Sequence, residues 1–104
     1  MAFDITSVLN SMKDAAVDAV RDDVESVPDY LLQIIENEKE SLKTLAEARL
    51  TGEISENEFL REIEREKKVL ETEMLTISIM TKAIAQKVVN AAMNALKDAI
   101  RLAL

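Results

Sequence analysis

The chain has 104 residues, 48% of them hydrophobic, a net charge of −7 and an aromatic content of only 3%. That is one domain's worth of sequence, too apolar for a disordered tail, with a core that must be built from aliphatic residues and methionine. It has no cysteine and no histidine, which excludes disulfides, thiolate chemistry, the commonest transition-metal ligand and the usual general base near pH 7.

A single glycine and a single proline leave too little turn punctuation for a sheet, so the class is all-α. The first helix is read over 5–26. Ile5, Val8, Leu9, Met12, Ala16, Val20 and Val24 recur at three- and four-residue spacings behind Asp4 or Thr6. Ser26 then stands three residues before Asp29, with Pro28 between them. This is a capping-box pattern that starts a second helix over 28–51. Leu31, Ile35, Leu42 and Leu45 form its apolar side, interrupted at Glu38, and Gly52 follows as a C-terminal stop.

The segment Glu47–Glu58 has the outline of half an EF-hand loop, with Gly52 at the sixth position and Glu58 at the twelfth. Arg49 falls where an anionic ligand is required, and Thr51 is a poor one. A helix start explains the same residues. Ile54 is a staple, Ser55 the N-cap and Glu58 its reciprocal partner three residues on. No metal ligand set and no cofactor motif is assigned.

From Ser55 onward there is neither glycine nor proline, so one helix is expected over 56–102, a rod of about 70 Å at 1.5 Å per residue. Its seam of Leu60, Ile63, Leu70, Met74, Ile77, Ile84, Val88, Ala91 and Ala95 keeps a seven-residue repeat with gaps at Lys67 and Thr81. A second stripe at Leu75, Ile79, Val89, Met93, Leu96, Ile100 and Ala103 begins after residue 73. Two stripes make that half apolar around most of its circumference, more than one partner arm can cover. The reading is therefore a long antiparallel hairpin, its first arm kinked or broken at Pro28, assembling into an oligomeric bundle with a dimeric four-helix core. The expected oligomer interface is Leu75, Ile79, Val89, Met93, Leu96 and Ile100, with Val8 and Met12 from the first helix. If that helix instead folds back at Pro28, it covers the second stripe within one chain.

Charge supports a neighbour relation between the ends of the chain. Residues 74–104 hold four cations against one anion, Asp98, while the first helix is acidic. Cations this dispersed, without interleaved aromatics, do not make a nucleic-acid surface. Glu36, Glu38 and Glu40, and Glu58, Glu62 and Glu66, read as a solvated charged face, and the methionines as core filler. The start has no basic-then-apolar leader and no apolar run reaches membrane-spanning length, so a cytoplasmic location is expected. The function expected is a non-enzymatic helical scaffold, adaptor or regulatory subunit, partnered by itself or by another helical protein. The alternative is an amphipathic protein that binds a membrane or other apolar surface through residues 74–104.

Overall fold

A computed structural model describes residues 3–77 and 80–104. It is all-helical and compact, with no strand among the described residues and principal dimensions of 39 × 23 × 20 Å. The helices are α1 (Ile5–Ala19), α2 (Asp29–Asn37), α3 (Lys39–Leu50), α4 (Glu56–Ile77) and α5 (Lys82–Ala103).

Helix α1 starts where Asp4 accepts the Thr6 N–H at 3.0 Å and the Ser7 hydroxyl at 2.9 Å. It stops at Ala19, short of the expected residue 26, and the chain turns through 20–23. Asp18, Asp22 and Asp23 lie at or just past this end, where the helix macrodipole disfavours anions, and Arg21 beyond the helix pairs with Asp18 at 3.0 Å. The second helix is also corrected at its start. Its N-cap is Pro28, with no side-chain capping bond, and Ser26 stays exposed outside the helix. The Ser-x-x-Asp spacing is present, but Pro28, whose ring holds φ at −61°, takes an extended ψ of 147° and serves as the cap, so the helix begins one residue later. Glu38, where the apolar stripe breaks, ends α2 and begins α3, with φ −89° and ψ 7°.

At the tip, Gly52 adopts φ 79°, the left-handed backbone that suits glycine. The Glu53 N–H donates to the Ala48 carbonyl at 2.8 Å and the Gly52 N–H to that of Arg49 at 3.2 Å, a Schellman ending. Helix α4 opens with the reciprocal box. The Glu58 N–H donates to Ser55 Oγ, and the Ser55 N–H to Glu58 Oε1, both at 3.1 Å.

The expectation of one unbroken helix over 56–102 is corrected. Helix α4 ends at Ile77, and Thr81, with ψ 155°, caps a new helix by accepting the Ile84 N–H on its hydroxyl at 3.3 Å. Each of these helices is about 33 Å long at 1.5 Å per residue. They cannot lie end to end in a molecule 39 Å long, and they pack against each other instead. The rod of about 70 Å at that same rise per residue is therefore absent. The break needs no glycine or proline. Thr76 and Ile77 are β-branched, and Thr81 has a side chain that competes for helical N–H groups.

Folding back at these breaks closes the core within one chain. Helix α5 makes its most extensive contact with α1. The Lys87 ammonium donates to Asp23 at 2.9 Å, joining the start of α5 to the turn after α1 and setting the two helices antiparallel. Ile5, Leu9, Met12 and Ala16 of α1, with its C-cap Val20, meet Val88, Val89, Ala92, Met93, Leu96 and Ile100 of α5 in one buried cluster. The alanines let the backbones approach closely. Helices α2 and α3 close the other side through Leu31, Ile34, Ile35, Leu42 and Ala46, and α4 through Phe59, Ile63, Leu70 and Met74.

Candidate interaction surface

The side chains expected at an oligomer interface sit mostly inside this core. Met12, Val89, Met93, Leu96 and Ile100 are buried, Val8 and Leu75 are half-buried, and Ile79 lies outside the described residues. A second copy was invoked because one arm cannot cover two stripes. Helices α1 and α4 together cover them here. The apolar face of residues 74–104 offered to a membrane is the same buried face, and among the described residues no helix is long and apolar enough to cross a bilayer.

The groups of the EF-hand-like segment are engaged locally. The Thr51 hydroxyl donates to the Glu47 carbonyl at 2.9 Å, Arg49 pairs with Glu56 at 3.0 Å, and Glu58 is held in the box with Ser55. Those bonds hold the Glu58 carboxyl below the usual carboxylate range, with the Ser55 N–H the main cause. Among the described residues no three acidic side chains are grouped as a metal would require, and no polar or charged residue is buried.

The surface with unusual features is the outer side of α4, where α2 crosses it. Tyr30 is 52% exposed and Ile77 51%, although both are large apolar residues beside a closed core. With Ile34, Asn37, Thr72, Glu73 and Thr76 they line a hollow between the two helices. A second hollow, lined by Arg65, Lys68, Val69, Thr72 and Glu73, continues it along α4. A third, lined mainly by Val24, Val27, Pro28, Leu31, Met80 and Ile84, reaches Tyr30 from the opposite side. The aromatic ring thus stands between a hollow of mixed polarity, shared with Ile34 and Ile77, and a mainly apolar one. Pro28, the cap of α2, lies beside it in the third hollow.

An acidic group borders the same surface. Glu38 projects from the α2–α3 bend toward Glu66 and Glu73 of α4. Its carboxyl is held above the usual range by burial first, then by the charges of Glu66 and Glu73, and by a hydrogen bond with Glu73. Glu66 is raised as well, again mainly by burial, then by Glu62 and Glu73, with Arg65 opposing. One carboxylate oxygen of Glu66 is buried with no hydrogen-bond partner. The nearby cations are engaged elsewhere, Arg65 with Glu62 at 3.2 Å and Lys67 with Glu64 at 3.1 Å. Glu38, Glu66 and Glu73 share a surface but make no ion pair among the described residues.

Sequence reasoning missed Tyr30, Ile34 and Val69. Tyr30 and Val69 break no period and match no motif, so their exposure follows only from how α2 lies across α4. The chain matches no known protein family, no curated protein and no solved structure.

Proposed function

We propose that this protein is a non-enzymatic helical interaction module that binds a protein partner through the surface centred on Tyr30, between α2 and the last turns of α4. The observation that carries the reading is that Tyr30 and Ile77 are half-exposed over a shared hollow, whereas the more exposed Leu102 and Leu104 lie at the end of the chain and line none of the hollows described above. Amphipathic aromatics at the centre of a concave apolar patch are the residues that most often anchor protein interfaces. The absence of histidine and cysteine from the sequence points away from catalysis.

The test compares retention of proteins from a native extract on the immobilised chain and on a Tyr30→Asp, Ile77→Asp chain. Both positions are solvent-exposed, so both proteins should melt alike by circular dichroism. A partner retained by the first and lost by the second supports the reading. Equal retention by both would move the binding surface elsewhere.

A further inference from the structure

We infer that a partner of this surface is a second copy of the chain, docked with its α4 antiparallel to the first, so that Arg65 of each copy reaches Glu73 of the other. The inference rests on the interaction reading above and names its occupant.

The stripe that would form the contact is Arg65, Val69, Thr72 and Thr76, exposed along one side of α4 at three- and four-residue spacings. Val69 is 40% exposed and is its apolar midpoint. Arg65 stands four residues before it and Glu73 four residues after it. A two-fold axis at Val69 therefore sets Arg65 of each copy opposite Glu73 of the other, about 6 Å from the axis on either side at 1.5 Å per residue. Val69 meets its own counterpart in the middle, and the hollow of Tyr30 and Ile77 continues the contact outward. A parallel arrangement would instead set Arg65 on Arg65 and Glu73 on Glu73.

The acidic group supplies an independent reason for the choice. Glu66 holds a buried oxygen without a donor, and neither Glu38 nor Glu73 beside it makes an ion pair among the described residues. Lys68 lies one turn away and makes no ion pair among the described residues. An acidic partner would add to the repulsion around Glu38, Glu66 and Glu73, and a basic one would face Arg65 and Lys68. A second copy brings both signs at the spacing the stripe requires, and it gives Glu73 an ion pair that it does not make within the single chain.

The experiment is sedimentation velocity on the full chain between about 1 µM and about 1 mM, the span over which a surface this small would associate. A reversible dimer is expected. Arg65→Glu alone and Glu73→Arg alone should each weaken it at least about tenfold, since each sets like charges face to face at both symmetric contacts. An equimolar mixture of the two variants should associate as the unmodified chain does, because every cross-pair is then complementary. Circular dichroism on each variant separates lost docking from lost folding. A monomer across the whole range, a dimer that neither reversal weakens, or a mixture that fails to restore association would each overturn the inference. If the chain is monomeric yet Tyr30→Asp still abolishes capture of another protein, the interaction reading stands and only the second copy is wrong.

Discussion

Glu66 shows how a single residue can oppose the fold that contains it. Its raised carboxyl, like that of Glu38, binds a proton more readily in the folded chain than in the unfolded one. The favourable contribution of such a group is complete below its ordinary range and is lost as pH rises through the raised value. Glu66→Gln should therefore raise the thermal midpoint at pH 7, and the gain over the unmodified chain should shrink to nothing as the pH falls below the ordinary carboxylate range. Melting both proteins across pH 3 to 8 checks the sign, as the window spans ordinary and raised carboxylates alike. Glu58 has the opposite linkage. Its lowered carboxyl stabilises above the ordinary range, and that contribution disappears as the pH falls through the lowered value. Ser55→Ala removes one half of the box and should cost about 1 kcal/mol in denaturant titrations, the usual value for an N-cap. The two sites differ in how far the sequence reveals them. Ser55 and Glu58 are three residues apart and meet through local geometry, so the box is legible without a structure. The repulsion on Glu66 includes Glu73, and Glu73 also meets Glu38, which arrives from another element through a bend that no motif marks.

At the scale of elements, the all-α class and the stop at Gly52 were legible because each rests on a local rule. The break between α4 and α5 was not. It replaces glycine or proline with β-branched residues and a threonine cap, each of which is tolerated inside many helices. What decides is the second stripe. Val89, Met93, Leu96 and Ile100 belong to a half-helix with two apolar stripes, and α5 can meet α4 as well as α1 only if it turns back, a gain in burial that outweighs the helical hydrogen bonds given up at the break. Spin labels can measure the consequence. Placed at the exposed Glu64 and Arg101, they would stand about 56 Å apart on one continuous helix at 1.5 Å per residue. The fold keeps all described residues within a longest dimension of 39 Å, so a separation well below that of the rod is expected. Thr81→Ala should lower stability by roughly 0.5 to 2 kcal/mol while leaving that distance short, because the cap finishes the turn and core burial imposes it.

At the scale of the whole molecule the question is whether folding and association are one event. An obligate dimer was the natural reading of two stripes on one helix, since leaving six such aliphatics in water forfeits about 1.5 to 3 kcal/mol each, more than the whole net stability of a small domain. The fold encloses four of the six, Val89, Met93, Leu96 and Ile100, within one chain. Met12, Met93 and Leu96 are fully enclosed and Val89 and Ile100 nearly so, while the α4 stripe proposed for docking is polar except at Val69. Folding should then precede association and survive its loss. The Arg65→Glu chain, expected to stay monomeric, should melt at a midpoint that does not change with protein concentration, whereas in an obligate dimer the midpoint climbs with concentration by mass action. Leu96→Ala supplies the contrast. Its side chain lies wholly within the α1–α5 core, so its removal should cost about 2 to 5 kcal/mol in the monomeric background as in the unmodified one. Val89→Glu, which puts a charge into the same core, should unfold the chain at every concentration. A midpoint for Arg65→Glu that rises steadily with concentration would show that the single chain does not close its own core.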